Sequence, residues 1–526
     1  MDYKQLKKYQ YSELISLRKF LFLPSSSLYK TLKALHKDTF ESNERIIFYY
    51  AGPIPYDLLA HLQRVVQHVD ISNCFIAICN SHPETKDQIE QVRIKYSKDS
   101  TSFELIELEI KDQTPYQTDN PPLLNPPDTM CMYPWNNMEL KPNGTTRPCC
   151  VYTSSITDLS KVPVNLNDPG VFSMEKIYFS ADLKKLRQQF RQGEKPVGCK
   201  KCWREEEQGI RSDRQRYNWT QRDQLYDIDY ETEDISNLNS LDLKLGNLCN
   251  LSCRICNPTV SSSWAVETLA QIPDPVEKKQ HHAYISLRQG EWPKKQLDFW
   301  SEFQKLLPHL RYMQFGGGEP LMLPHHFTVL EKAVDMDYAK QISLRYNTNG
   351  TQYPESVLGQ WKNFEMVNLD ISVDDIGKRF EYQRNGASWQ QVLENCKKFN
   401  QQRRLNFKTQ ISTSVSILNV YYLPEIYEWV NSENFDSWWL SLLHFPKMFS
   451  ISNMTPSAKK LVLEKLIAYN FGQHQSQIDV FLSIIQNSLT VDGKDFVNAI
   501  RPIDIIRNQN FSLDHSDIAH AMGYVL

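Results

Sequence analysis

The chain has 526 residues, enough for about three domains at roughly 150 residues each. Hydrophobic residues at 41% and aromatics at 12% can fill large cores, which excludes wholesale disorder. Lys and Arg total 59 against 62 Asp and Glu, so no bulk charge marks a nucleic-acid binder, and none is expected as a specific partner.

Residues 1–113 read as an α/β domain. Ile46-Ile47-Phe48-Tyr49-Tyr50 and Phe75-Ile76-Ala77-Ile78 have the apolar run of buried strands, with helical spacing of Leu58, Leu59, Leu62, Val65 and Val66 between them. A third strand is expected within 103–110. Ala51-Gly52-Pro53 is a strand-to-helix turn and not a phosphate loop. Residues 114–130 hold a connector: five prolines stand in the sixteen residues 114–129, which excludes a helix or central strand. A module follows over 131–236, with an amphipathic helix at 182–192 burying Leu183, Leu186 and Phe190 and stopped by Gly193. Over 237–445 short strands alternate with helical stretches such as 392–399. Strands are predicted at 241–245, 312–315, 342–346, 366–373, 409–415 and 438–443. Such alternation means a parallel sheet, and six units predict a partial (β/α)6 barrel of TIM type. Residues 446–526 are helical and are expected to cover one end or flank of the sheet.

No run of 18 apolar residues could span a membrane, and the opening MDYKQLKKYQYSEL has no apolar core or cleavage site of a signal peptide. A cytoplasmic location is expected. In that reducing setting, eleven cysteines, an odd number, do not indicate a disulfide framework. Cys74, Cys79 and Cys396 stand in apolar or helical surroundings as small hydrophobes. The other eight fall between Cys131 and Cys256, which points to metal or redox chemistry.

Directly after the first barrel strand, GNLCNLSCRIC sets Cys249, Cys253 and Cys256 in C-x3-C-x2-C spacing. Structural zinc takes four ligands in two pairs, and here three stand in one short loop. Three thiolates can hold three irons of a cubane and leave the fourth open. The motif resembles the signature of the radical S-adenosylmethionine (SAM) superfamily. That resemblance implies a [4Fe–4S] cluster on Cys249, Cys253 and Cys256, SAM on its open iron, and reductive cleavage of SAM to a 5′-deoxyadenosyl radical that abstracts hydrogen.

The loops after the later strands carry the rest of the resemblance. Gly317, Gly318, Glu319 and Pro320, within Gly316–Pro320, match the superfamily's Gly-Gly-Glu-Pro run beside the SAM amino group. Asn347 and Asn349, in NTNG, are similar to the turn beside the cofactor. Ser372 and Asp374 suit ribose hydroxyls, and Arg384 follows in YQRNG. Ser414, Ser416 and Asn419 stand where members hold the SAM carboxylate or adenine.

Upstream, Cys131, Cys149 or Cys150, and the pair Cys199 and Cys202 make four thiolates, which by spacing alone fit a tetrahedral zinc or a cubane. C-x12-G-x4-C followed by C-x2-C resembles the SPASM and twitch auxiliary modules of the same superfamily. The resemblance implies a second [4Fe–4S] cluster on Cys131, Cys149, Cys199 and Cys202. Cys149 completes the G-x4-C spacing, and adjacent Cys150 is either the alternative ligand or a spare thiol. The module here precedes the barrel, where the family usually places it after. Trp135, Tyr152 and Trp203 are expected to pack around the site. Glu205–Glu207 and the basic stretch from Arg211 read as a solvated helical face, and His281-His282 and His325-His326 as polar surface. The expected activity is hydrogen abstraction from a peptide or protein, residues 1–113 serving as docking unit, with an external flavodoxin- or ferredoxin-type electron donor. A sugar- or amine-like metabolite is the alternative, and a non-catalytic metal-stabilised interaction module the remote one.

Overall fold

The computed structural model describes residues 127–158, 173–207, 211–221, 233–296 and 298–524, together with four strands nearer the amino terminus. Those four, β1 (Phe20–Phe22), β2 (Ile46–Ala51), β3 (Cys74–Cys79) and β4 (Leu105–Glu107), form a parallel sheet in sequence order. Three of them coincide with expectation, and β1 lies in a stretch whose sequence pattern is helical. The expected helix around 56–68, the connector before 127 and the side chains of Cys74 and Cys79 lie outside the described residues.

The second compact unit holds one nine-stranded sheet, ordered β13-β12-β11-β10-β9-β8-β5-β6-β7. Its strands are β5 (Asn137–Leu140), β6 (Thr145–Arg147), β7 (Thr157–Asp158), β8 (Ser240–Leu243), β9 (Tyr312–Phe315), β10 (Ser343–Thr348), β11 (Met366–Ser372), β12 (Phe407–Val415) and β13 (Ser437–Leu442). From β8 to β13 all pairs are parallel, with helices between, and this is the six-unit partial barrel foreseen. The cysteine module upstream is not a separate body. Its β5 pairs parallel with β8, Asn137 opposite Ser240, and continues the barrel sheet by one strand before β6 and β7 turn antiparallel.

Alternation along the strands gives the sheet two unlike faces, because successive side chains point to opposite sides. One row runs Leu243, Phe315, Tyr346, Leu369 and Thr409 across paired strands, all buried beneath the helices. The row one residue away runs Glu139, Asp242, Gln314, Arg345, Asn368 and Lys408. The concave face of the barrel is therefore a polar lumen. Opposite the β5 edge, His444 just after β13 reaches Glu205 of the cysteine module at 3.3 Å. Arg216 stacks over Trp439 of β13 at 5.2 Å, so the module touches both margins of the open barrel.

The helix Ala181–Arg191 buries Leu183, Leu186 and Phe190 as its spacing predicts. Ser180 caps its start, and Gly193 beyond its end has φ +73°. Cys396 is buried in the helix Trp389–Gln401. Two polar readings need correction. His326 is fully buried, its Nε2 2.8 Å from the Tyr346 hydroxyl, because its helix turns that face to the core; burial pushes its pKa down to about 3. Glu205 and Glu206 are not a solvated face: Glu205 is buried beside Lys201 and His444, and Glu206 pairs with Arg214 at 2.8 Å.

Candidate functional site

Cys249, Cys253 and Cys256 lie in the loop that follows β8, at the carboxyl end of the sheet. The helix Ser262–Ala270 holds that loop by its first turn. Ser263 Oγ donates to the Cys249 carbonyl at 2.7 Å, and Ser262 Oγ accepts from the Cys249 N–H at 3.1 Å. Trp264 Nε1 donates to the Cys253 carbonyl at 2.5 Å. Asn349 Nδ2, at the end of β10, reaches Cys249 Sγ at 3.8 Å and Asn250 Oδ1 at 3.0 Å. From the far end of the chain, Arg507 donates to the Ser252 carbonyl at 2.7 Å and pairs with Glu267 at 2.9 Å, while Arg254 is bound to Asp504. The helical C-terminal region thus clamps the cysteine loop. Nothing in the local sequence announced that role.

The glycine run answers a packing demand. Gly317 has φ +101°, and a Cβ there would stand 3.0 Å from the Gly246 carbonyl oxygen. A Cβ on Gly318 would fall 2.1 Å from the Leu248 carbonyl oxygen. Only glycine lets the β9 loop lie against the backbone of the cysteine loop, where Glu319 N–H donates to Leu248 at 2.7 Å. Glu319 is wholly buried. It accepts from the Thr348 hydroxyl (2.7 Å), the Asn349 N–H (2.7 Å) and the Leu321 N–H (3.1 Å), and so ties the β9, β10 and cysteine loops together. Burial pushes its pKa up to about 7, against these donors.

After β11 and β12 the polar side chains divide into two kinds. Ser372, Ser414 and Asn347 are half-buried on the luminal side. Asp374 is buried, taking the Ser414 N–H at 2.9 Å and pairing with Arg384 at 2.8 Å. Asn419 is fully buried, donating to the Asp374 and Ser414 carbonyls and accepting from the Ser416 N–H at 2.8 Å. These two fasten strand ends to one another. Arg384 is the exception within the group: its Nε is buried without a partner, and its charge is felt by Cys253, Cys256 and Glu319.

That orphaned donor, together with three thiols close enough that Cys249 raises Cys253 and both raise Cys256, fits an iron–sulfur cluster carrying an anionic ligand. Burial pushes Cys253 up to about 11 and Cys256 up to about 12, with the neighbouring thiols adding to the rise. Iron charge would reverse that preference and hold the sulfurs as thiolates.

The second set of thiols is also gathered in space. Cys131 lies just before the helix Tyr133–Asn136, Cys149 after β6, Cys199 in the turn Val197–Cys199 and Cys202 in the helix Lys200–Glu207. Burial raises the pKa of all four. Cys131 feels Cys199 and Cys202, and Cys149 feels Cys150 first, then Cys131 and Cys199. Arg214 donates to the Met130 carbonyl at 2.7 Å and stacks on Trp203, which fixes the Cys131 segment against the Cys202 helix. Gly198 seats the Tyr152 ring, since a Cβ there would fall 2.3 Å from it. Cys150 differs from its neighbour. It is exposed and within electrostatic reach of Asp213, Lys244, Glu139 and Asp242 as well as of the Cys149 thiol. Among the described residues no three His, Cys, Asp or Glu side chains close on a single metal ion. A cubane spreads its ligands over separate corners and needs no such convergence.

The luminal charges below these loops were missed, although the alternation in SLDLK and SLRYNT carried the signal. Lys244 bonds Asp242 at 3.0 Å and contacts Glu139, which also takes Arg147 at 2.8 Å. Arg345 bonds Asp370 at 2.6 Å. Burial pushes Asp242 up to about 6 despite Lys244.

Comparison with known proteins fits this arrangement. Residues 243–416 match the model of the Radical SAM superfamily, and residues 131–203 that of SPASM, the iron-sulfur cluster-binding domain. No curated protein matches the chain. Among solved structures, native anSMEcpe with bound AdoMet is 14% identical, covers 49% of this chain and 65% of its own, and has a TM-score of 0.30. Streptococcus suis SuiB bound to precursor peptide SuiA is 12% identical, over 46% and 52%, with a TM-score of 0.26. TYW1 with a lysine-pyruvate adduct is 13% identical, over 48% and 74%, with a TM-score of 0.25. The chain thus spans just under two thirds of the length of anSMEcpe and about half that of SuiB. The cofactors of the two domains are SAM and iron–sulfur clusters, an auxiliary one included. The chain carries a radical SAM domain over residues 243–416 and, built into the edge of its barrel, a SPASM iron–sulfur cluster-binding domain over residues 131–203.

Proposed function

We propose that this enzyme abstracts a hydrogen atom from a peptide or protein substrate seated in the polar lumen. One observation carries the reading: the Cys249–Cys256 loop, the Glu319 loop and the Asn349 turn are bonded into one unit at the carboxyl end of the strands, where barrel enzymes keep their chemistry. Cys249, Cys253 and Cys256 would hold the SAM-binding cluster, and Cys131, Cys149, Cys199 and Cys202 the auxiliary one. When bound, the first cluster and SAM supply the 5′-deoxyadenosyl radical, with electrons from a flavodoxin- or ferredoxin-type donor. The chain's own part is to aim and enclose. Arg384 offers its free Nε beside the cysteine loop, Glu319 fixes the loops, and the auxiliary module covers the open side of the barrel through Glu205 and Arg216. A peptide is favoured because superfamily members with such modules often modify peptides, and residues 1–113 offer a docking unit.

Anaerobic reconstitution tests the proposal. Wild type is expected to bind about eight irons per chain, and a Cys249/Cys253/Cys256 triple alanine variant about four. 5′-Deoxyadenosine should form in wild type alone. Removing residues 1–113 should abolish peptide binding and spare SAM cleavage. Failure to bind iron or to cleave SAM refutes the radical reading, and retained peptide binding after the deletion refutes the docking role.

A further inference from the structure

Two charged residues of the C-terminal region, Asp504 and Arg507, reach the cysteine loop across 250 and 255 residues of sequence. They stand three apart on the helix Lys494–Arg507 and so share one face. Asp504 binds Arg254, which lies between Cys253 and Cys256 in the chain. The same buried carboxylate takes the hydroxyls of Tyr382 at 2.9 Å and Tyr524 at 2.7 Å and the Phe511 N–H at 2.9 Å. With both oxygens occupied in this way, the helix face is fixed against the loop. Arg507 is the last residue of that helix, and Asn508 ends it by turning left-handed at φ 49°.

The Arg507 side chain is only 3% exposed. Its Nη2 donates to the Ser252 carbonyl at 2.7 Å and to Glu267 at 2.9 Å, and its Nε donates to Glu267 at 3.1 Å. Glu267 also takes the Ser252 hydroxyl at 3.0 Å. The guanidinium lies over the Trp264 ring at 4.9 Å, and Trp264 in turn donates to the Cys253 carbonyl. The peptide groups on both sides of Cys253 are therefore engaged by Arg507 and its neighbour. Holding a carbonyl needs one N–H, yet Nη1 remains buried with no partner, and the Arg507 charge is felt at Cys253. A buried charged donor left unpaired marks a place for an anionic acceptor. Sulfur held at Cys253 supplies one.

We propose that Arg507 is an electrostatic positioning residue through which the C-terminal region sets the reduction potential at Cys249, Cys253 and Cys256, with Glu267 as the counter-charge that limits its effect. This rests on the radical reading above. Reduction brings one electron from the external donor, and no proton moves because Arg507 stays charged. The added negative charge is favoured beside a cation and disfavoured beside an anion. Removing the Arg507 charge therefore makes reduction harder, and removing the Glu267 charge makes it easier. The two residues are bonded to each other and to the same serine, so a purely mechanical clamp predicts no such opposition of sign.

The test is a mediated redox titration of reconstituted full-length enzyme, followed by electron paramagnetic resonance. The signal that changes when SAM is added identifies the relevant cluster, and iron is counted in each sample. At the wild-type midpoint, the ratio of reduced to oxidised cluster should fall about tenfold in Arg507→Gln, equivalent to about 59 mV for one electron. Arg507→Lys, which keeps the charge, should stay within about threefold of wild type, and Glu267→Gln should raise the ratio at least about threefold. Lys494→Gln removes an exposed cation at the far end of the same helix and should leave the ratio unchanged. An unchanged ratio in Arg507→Gln, or no rise in Glu267→Gln, overturns the proposal. So does a fall in Arg507→Lys as deep as in Arg507→Gln, or an equal fall in Lys494→Gln. Should Arg507→Gln lose about four irons, Glu267→Gln decides alone, since it keeps the cation. Absence of a SAM-responsive signal from every sample instead refutes the radical reading.

Discussion

Replacing Gly318 by alanine perturbs the joint between the two loops that define the SAM site. The new Cβ would stand 2.1 Å from the Leu248 carbonyl oxygen and 2.8 Å from the Asn247 carbonyl carbon, both backbone atoms that no rotamer change can move. The loops must part, which breaks the Glu319 N–H to Leu248 bond of 2.7 Å and the Gly318 N–H to Gly246 bond of 3.3 Å. At about 0.5–1.5 kcal/mol each, these come to about 2 kcal/mol. Disturbing the three donors on the buried Glu319 carboxylate adds about 1–3 kcal/mol. The sum of about 3–5 kcal/mol corresponds to a roughly 150- to 4,000-fold loss of correctly joined loops. Iron per chain after reconstitution should fall by about four, with SAM affinity reduced in proportion. Gly359→Ala is the control: it lies exposed in the helix Glu355–Trp361 with open space around it and should stabilise by about 1 kcal/mol. Full iron loading and SAM binding within about threefold of wild type in Gly318→Ala would refute the reasoning, since about 2 kcal/mol is already some 30-fold.

Three further outcomes are expected. Gly198→Ala drives the Tyr152 ring from its seat and should cost the auxiliary irons alone, seen as loss of about four irons with the SAM cluster spectrum retained. Asn419→Ala removes three buried bonds and should lower unfolding free energy by about 2–4 kcal/mol in urea titration; a change below about 0.5 kcal/mol would show that β11 and β12 do not depend on it. Glu319 is a carboxyl whose pKa is raised to about 7 by burial, so the fold favours its protonated form. Its contribution is fully present below the unfolded pKa near 4.5 and is lost as pH rises through 7, by about 3 kcal/mol in all. Stability of wild type relative to Glu319→Gln should decline over that window, and parallel pH profiles would contradict it.

Much of this protein was legible from local pattern. The six barrel strands and the helix 181–191 follow from apolar periodicity, and C-x3-C-x2-C with the glycine run follows from chemistry that requires short fixed spacings. These features are encoded within a few residues, so no knowledge of the fold is needed to find them. What depends on partners distant in sequence was out of reach. The union of β5 with β8 joins residues about a hundred positions apart, and the Arg507 clamp on Ser252 spans 255. His326 and Glu205 look like surface residues locally and are buried by tertiary partners, His326 against Phe315 and Tyr346 of the sheet and Glu205 beside His444 from across the barrel. The same holds for Cys149 and Cys150. Adjacent in sequence and alike in chemistry, they differ in burial, Cys149 being buried and Cys150 exposed. That difference is set by the packing around them and not by their spacing.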